Sequence, residues 1–400
     1  MKIAVVGSGI AGLAAARALA EHEVTVFEGA TRAGGHVYTV EADGHTIDMG
    51  FIVCNRERYT CFFDMLDELG IATRPTTMAF SVSHDGLEWS SASLSAVFAD
   101  RRRLFDRRHW RFLLEVMRFL RRARRDLGSA FVAQVTLDEY LHARRTSADL
   151  RERFVIPLAA ALWSLAPDRC GDFPAETYLR FLDQHGMLSP IRPLAWRTIV
   201  GGSGRYVDAI LATARFVLEL ATPVTSIHRD ATGVTLVAAG RERRYDRIIV
   251  ATHADTALAL LADPTEAEAA ALGAFRHSRN RTVLHKDRNF LPRRPLAHAS
   301  WNYVADPDTS RVSVTYSMTR LQGLPDAPYL VTLNPRSPPA DILHEATFDH
   351  PQLDRAALTA QARIPRLASP HTAFAGAYLG FGFHEDGVRA GLAAAARVTR

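Results

Sequence analysis

The sequence predicts an α/β protein of two domains, one built on a parallel sheet, the other on an antiparallel sheet with a helical insertion. Three observations predict it. A buried-strand run, KIAVV, is followed by a glycine turn, an alanine-rich helix and a second strand, VTVFE, within the first 28 residues. Alternating stretches recur at 78–92, 281–286, 298–304, 311–318 and 329–334, enough for one antiparallel sheet. Residues 101–170 read as mostly helical, with no repeat or low-complexity tract.

Bulk properties set the limits. With 400 residues the chain can bury two cores, and 48% hydrophobic with 23% charged residues is ordinary for a globular protein. No stretch approaches the 18 apolar residues of a membrane span. The first strand starts at Lys2, which leaves no room for a signal peptide and predicts a cytoplasmic protein. Three cysteines, Cys54, Cys61 and Cys170, form no CxxC, so neither a disulfide framework nor a metal site is expected. The net charge of +5 is uneven: residues 101–125 hold eleven arginines against Asp106 and Glu115, a local +9, so the rest of the chain is at −4.

Taken in order, residues 7–12 read GSGIAG, a Gly-x-Gly-x-x-Gly loop between a strand and a helix. That is the Rossmann-like arrangement for a dinucleotide: Gly7 for the turn, Gly9 for backbone approach to a pyrophosphate, Gly12 for helix packing on the strand. Glu28 ends the second strand, placed to accept from ribose hydroxyls and to repel a 2′-phosphate. Residues 78–92 alternate around Asp85-Gly86, a hairpin signal. GGSGRYVDAILATA (201–214) reads as a glycine-opened helix. Val207 stands where a third glycine would be needed, so no separate nicotinamide loop is expected. Strand-like runs follow at 223–228, 233–238 and 246–252, and the chain ends in a strand, a loop and a helix. The simplest organisation is discontinuous: 1–77, 198–260 and 367–400 as one domain, 78–197 and 261–366 as the other.

The stretch after Glu28, GATRAGGHVYT, completes the pattern E-x-x-x-R-x-G-G, which resembles the FAD site of the flavin amine-oxidase superfamily, with its amine oxidases, carotenoid desaturases and protoporphyrinogen oxidases. The likeness continues in GHTIDMGFIV (44–53), TPVTSI (222–227), YDRIIVATHAD (245–255) and FAGAYLGFGFHEDGVRAGLAAA (374–395). It implies a glutathione-reductase-like FAD-binding domain and a substrate domain. It also implies a cofactor set: Gly7, Gly9, Ile10, Ala11 and Gly12 in the loop; Glu28, Gly29, Arg32, Gly34, Gly35 and His36 after it; Gly50, Phe51 and Ile52 beside the flavin ring; Val224 at the adenine. Gly376, His384, Glu385, Asp386 and Val388 complete it, where a helix N-terminus would face the flavin N1–C2=O edge. Some positions depart from the family's pattern. His36 replaces the arginine usual after the glycine doublet, Ala377 a common acidic residue, and Phe383 one tyrosine of the monoamine oxidases' aromatic cage. The ribityl contact is then expected from Glu385 or Asp386, and a simple amine substrate is disfavoured. No cysteine lies in the C-terminal motif, so FAD is expected to be non-covalent.

A closer likeness is to a bacterial subfamily of FAD-binding oxidoreductases, carried by GGHVYTV, DMGFIVCN, PLAAALWS (157–164), FLDQHGML (181–188), ASWNY (299–303), TLNP (332–335) and GFGFHEDG (380–387). Its members resemble, or are encoded near, enzymes that modify membrane lipid acyl chains, such as cyclopropane-fatty-acid-synthase-like methyltransferases. The resemblance implies an FAD-dependent desaturase or oxidase with an apolar, lipid-type substrate and oxygen, a quinone or a partner protein as electron acceptor. A flavin-dependent double-bond isomerase, an amine oxidase and a non-catalytic flavin-binding partner are the alternatives. Trp301, Tyr303 and His384 are the catalytic candidates, with Asn302, Tyr316, Phe381, Phe383 and the 78–92 hairpin as further walls. Lys286, one of two lysines, reads as a solvated strand-end residue.

On a helical wheel over 101–125, Arg111, Arg118, Arg122 and Arg125 fall on one side and Trp110, Leu113, Leu114, Met117 and Leu120 on another. Two readings stand: a helix packed on protein with solvated arginines, or a peripheral contact with the inner face of an anionic membrane. The basic-aromatic pattern is confined to one helix without a recognition motif, which argues against nucleic acid.

Overall fold

The computed structural model describes residues 1–163, 167–188, 194–305, 312–325, 327–367 and 370–400. Ser164 of PLAAALWS and Arg311 of the expected strand 311–318 lie outside the described residues.

A five-stranded parallel sheet organises one side of the molecule. Its order is Val217–Glu219, β2 (Glu23–Phe27), β1 (Lys2–Val6), Arg247–Val250 and Thr372–Phe374. The strands are apolar on both faces because both faces are covered. Ile3, Val5, Val24, Val26 and Ile249 pack under α1 (Ile10–Ala18) and the terminal helix His384–Val398. Ala4, Val6 and Phe27 face the meander Val224–Asp230, Gly233–Ala238, Arg241–Tyr245, meeting Leu236 and Tyr245. The terminal helix lies against α1 because Gly391 gives it room: a Cβ there would overlap the Ala11 carbonyl.

The second sheet has seven strands in the order Ile342–Gln352, Arg276–His285, Leu330–Leu333, Val312–Ser317, Trp301–Ala305, Phe80–His84 and Leu87–Ser90. The expected strands and hairpin are all in it, with two differences. Trp301–Ala305 runs parallel to Phe80–His84, so the sheet is mixed, because the hairpin joins the far edge of the meander rather than extending it by another turn. Ile342–Gln352 carries no strand signal in the sequence: it is a largely half-exposed edge strand with charged residues and a proline, and it lacks a clean alternation.

Helices 107–163 and Ala175–Gln184 stack on this sheet, with Trp89, Phe112, Phe154, Tyr140 and Phe181 in one core. Helix Arg107–Asp126 buries His109, Phe112, Phe119, Leu120 and Ala123. Trp110 and Leu114, which the wheel groups with Leu113, Met117 and Leu120, are exposed, since the stripe centred on Phe112 and Phe119 meets the aromatic core. Among the described residues no helix is long and apolar enough to cross a membrane.

Candidate active site

Two helices begin at one cavity. α1 opens at Gly9 and the terminal helix at Phe383, neither with a side-chain N-cap. Gly387 brings them together, since a Cβ there would come 2.7 Å from Ile10 Cγ2. Uncapped N–H groups and two positive helix ends converge where an anion is best held. A cavity of about 540 Å³ starts here and runs between the two sheets.

The loop fits this role residue by residue. Gly7 adopts φ +102° and leaves no room for a Cβ beside Ala251, while Gly9 would present its Cβ to nothing within 4 Å, that is, to the cavity. Gly12 packs on the Gly7 carbonyl. Glu28 faces the cavity, its Oε2 accepting from Ser8 N (2.9 Å) and Ser8 Oγ (2.6 Å) and its Oε1 from Ala30 N (2.9 Å). A carboxylate has about four acceptor positions, so a ribose hydroxyl still finds one. The glycine doublet latches onto this loop through Gly34 N to Ser8 O (2.9 Å). Arg32 donates to the carbonyls of Gly35 (2.7 Å) and Val37 (2.8 Å), so it holds the doublet in shape and stays out of the cavity lining.

Gly50 lets the chain after strand His45–Asp48 pass against the His36 carbonyl, where a Cβ would overlap. This sets Phe51 and Ile52 on the cavity wall with Ile10, Ala11, Gly34, Gly35, His36 and Gly376. Asp48, which the sequence reading passed over, fixes this stretch to helix Gly204–Ala212. It accepts from Ser203 N (2.8 Å), Ser203 Oγ (3.0 Å) and Thr39 Oγ1 (2.5 Å), and burial pushes its carboxyl up to about 6. The GGSG opening thus serves Asp48 rather than a second nucleotide.

Several expected contacts fall elsewhere. Glu385 points to the N-terminus of helix Thr60–Glu68, accepting from Phe62 N (2.9 Å) and Cys61 N (3.1 Å). Asp386 closes its own turn, accepting from Phe381 N and Phe383 N (3.0 Å each). Neither carboxylate lines the cavity, so neither is placed to meet a ribityl chain there. Val388 is buried among Ile10 and Leu13, and Gly29 and Val224 sit by the adjoining turn, outside the cavity lining. Tyr303 shares its strand face with Trp301 but lies one repeat along, buried in the core and off the cavity. Asn302 is consumed by Ser81, Ala299 and Thr315, and Lys286 by Asp43. His384 does line the cavity, but its ring stacks on Phe51 at 3.7 Å and its Nε2 meets Tyr206 OH at 2.7 Å. Burial pushes it down to about 3, so it is neutral and tied, a wall rather than a base.

Away from the glycine loop the cavity becomes aromatic: Trp163, Phe181, His185, Trp196, Trp301, Tyr316 and Phe383, with Met78, Leu162 and Met187. His185 is sandwiched between Phe181 (3.8 Å) and Trp196 (5.7 Å), and burial lowers it to about 4. Trp163 and His185 stand in PLAAALWS and FLDQHGML, whose residues do not mark them as pocket rather than core, and Trp196 lies in no motif singled out in the sequence. Five cavity side chains carry a buried polar atom with no hydrogen-bond partner among the described residues: Trp163 Nε1, His277 (whose Nδ1 lies 3.2 Å from an Asp255 carboxylate oxygen), Thr282 Oγ1, Trp301 Nε1 and Tyr378 OH. Native interiors rarely leave such atoms unpaired, so the lining fits a large ligand rich in acceptors. His253, Asp255 and His277 bring three ligand-type atoms within 4.8 Å of one another, but the two imidazoles stack at 16°, so their in-plane lone pairs run parallel and do not converge on one ion.

Residues 10–317 match the description of the flavin-containing amine oxidoreductases. The chain belongs to that family. For a flavin-containing amine oxidoreductase the uncapped helix pair, Glu28 and the glycine doublet are the residues that would hold the ADP half of FAD, and Gly50–Ile52 with the terminal helix start the ring. AofH of Mycobacterium tuberculosis, described as a flavin-containing monoamine oxidase, is 28% identical over 282 residues, which are 66% of this chain and 59% of that protein. The cyclohexylamine oxidase of Brevibacterium oxydans superposes with a TM-score of 0.75 at 18% identity, over 99% of this chain and 98% of that one. A fatty acid isomerase of P. acnes that produces CLA gives 0.73 at 17%, over 98% and 96%. Both likenesses show the fold.

Proposed function

We propose that this flavin-containing amine oxidoreductase is an FAD-dependent desaturase or oxidase that takes hydride from an apolar substrate of the lipid acyl-chain class. The observation that carries the reading is the two-ended cavity, a phosphate-type cradle at one end and an aromatic chamber at the other. Glu28 and Asp349 are the only carboxylates among its described lining residues, and neither belongs to the aromatic end. A hydrocarbon is accommodated there by dispersion and by exclusion of water, whereas an ammonium would lack a counter-charge. Bound in the cradle, FAD supplies a ring that accepts hydride and passes two electrons to oxygen, a quinone or a partner protein. Trp301, with a free indole N–H, is the residue placed to orient a substrate oxygen. The same reading divides the chain into an FAD-binding part, 1–77, 198–260 and 367–400, and a substrate part, 78–197 and 261–366.

One feature favours a second reading. His185 and His384, the imidazoles of the aromatic end, are held neutral by burial, at about 4 and 3, so the chamber holds no strong base. A double-bond isomerase, returning the hydride to another carbon of a polyunsaturated chain, needs none.

The test is anaerobic titration of the yellow protein with unsaturated and saturated acyl lipids and with small amines. Bleaching of the flavin bands by acyl lipid, reversed by an acceptor, supports the desaturase or oxidase. Shifted double bonds in the lipid, by mass spectrometry and without acceptor consumption, select the isomerase. Bleaching by cyclohexylamine or putrescine alone overturns the apolar reading.

A further inference from the structure

The strongest feature outside the cavity is the outer face of helix Arg107–Asp126 with the turn before it. The helix is already satisfied on its inner side by Phe112, Phe119 and Ala123. Its outer side nevertheless carries Trp110 at 46% and Leu114 at 54% exposure, four residues apart and so on one face. The turn Arg101–Phe105 adds Phe105 at 90%. Trp110 Nε1 donates to the Leu104 carbonyl at 2.9 Å, which joins the turn to the helix. Asp100 caps the turn and Asp106 the helix, each accepting a backbone N–H, so the apolar tip is presented by a rigid support.

Cations surround this tip. Arg102, Arg107, Arg111, Arg118, Arg121 and Arg125 are exposed, and none has an ion pair among the described residues, unlike Arg103 and Arg108, which pair with Asp106 and Asp149. On the helix, Arg121 lies between Trp110 and Leu114, and Arg107, Arg118, Arg125 and Arg111 follow on the side of Leu114, so that the arginine side of the wheel adjoins the apolar pair. A surface helix that only solvates its arginines has no use for a tryptophan, a leucine and a phenylalanine among them.

We infer that the turn Arg101–Phe105 and the outer face of Arg107–Asp126 dock this protein onto an anionic lipid bilayer. Phe105, Trp110 and Leu114 enter the acyl-headgroup boundary, and the unpaired arginines reach lipid phosphates along their flexible stems. The charge decides the occupant: six uncompensated cations around an apolar tip would repel a second copy of the same surface and match an anionic one. The inference goes beyond the flavin chemistry and does not depend on it, since binding is read without turnover.

The test is co-sedimentation of the FAD-loaded protein with large vesicles of phosphatidylethanolamine and phosphatidylglycerol, and with phosphatidylcholine vesicles. Binding to the anionic vesicles should be at least about tenfold tighter and should weaken as salt rises. The triple variant F105S/W110S/L114S, altered only at exposed positions, should keep its melting temperature and flavin spectrum and lose at least about tenfold in vesicle affinity. R107E/R111E/R118E should abolish the preference for anionic lipid. Equal binding to both vesicle types, no binding to either, or wild-type binding by the apolar triple variant overturns the inference. So does a change in oligomeric mass in that variant with vesicle binding intact, which would make the face a contact between copies.

Discussion

Gly9 and Gly12 stand three residues apart and do opposite work. A Cβ on Gly12 would overlap the Gly7 carbonyl inside the fold, whereas a Cβ on Gly9 would meet nothing but the cavity. Gly9 has φ −67°, so alanine suits its backbone. Gly12→Ala should therefore destabilise the flavin-free protein by about 1–3 kcal/mol through overpacking. Gly9→Ala should leave that stability within about 0.5 kcal/mol and weaken FAD binding by about tenfold or more. Thermal melts of the flavin-free variants and FAD titration followed by fluorescence separate the two; a Gly9→Ala protein that keeps wild-type affinity would mean that the loop does not approach the cofactor. This distinction was legible in the spacing Gly-x-Gly-x-x-Gly, because each glycine's duty is set by local backbone geometry. The contrast between Trp301 and Tyr303 was not. Both are aromatics on one strand face, and only the position of the cavity along that strand, a tertiary fact, decides which one lines it.

Among the elements, the terminal helix shows how a side chain placed by resemblance can serve another partner. Its start abuts the cavity as expected, yet Glu385 reaches sideways to the N-terminus of helix Thr60–Glu68 and pairs with Arg389 at 2.7 Å. It acts as a cap supplied from a distant part of the chain, needed because Tyr59 provides no side-chain cap. Glu385→Ala would leave the Cys61 and Phe62 N–H groups unpaired, and Phe62 is buried. The expected loss is about 1–3 kcal/mol of stability, with the flavin spectrum and FAD affinity unchanged. Loss of FAD affinity at full stability would restore the ribityl role. The βαβ unit, the Asp85-Gly86 hairpin and the glycine-opened helix were readable because turn chemistry and periodicity are local signals. Strand Ile342–Gln352 was not, because an edge strand covered on neither side consistently has no reason to alternate. The packing face of helix Arg107–Asp126 was left open in the sequence for a related reason: Trp110 and Leu114 are as apolar as the residues that pack, and hydrophobicity alone does not say which apolar arc meets protein.

At the scale of the whole molecule, burial of histidine sets the response to acid. His36 and His384 are pushed down to about 3, and His185, His285 and His350 to about 4, each mainly by desolvation. In the unfolded chain these imidazoles titrate near 6.5. Between pH 6.5 and 4 the unfolded state therefore binds more protons than the folded state, and stability falls as pH falls through that window. Asp48 and Asp386 act the other way. Raised to about 6 by burial, they take up protons in the folded state first, so below that pH they favour folding. Five histidines oppose two carboxyls, and the net sign is that of the histidines. The flavin-free protein should melt at nearly constant temperature from pH 8 to 7 and at progressively lower temperature from pH 6.5 to 4.5. Each histidine contributes at most about 1.36 kcal/mol per pH unit to that slope. His185→Phe keeps the ring between Phe181 and Trp196 and removes the titration, so it should flatten the dependence by about that amount while leaving stability at pH 8 little changed. A wild-type slope in His185→Phe would show that this imidazole is hydrated in the folded state. Stability that rises on acidification would show that Asp48 and Asp386 outweigh the histidines.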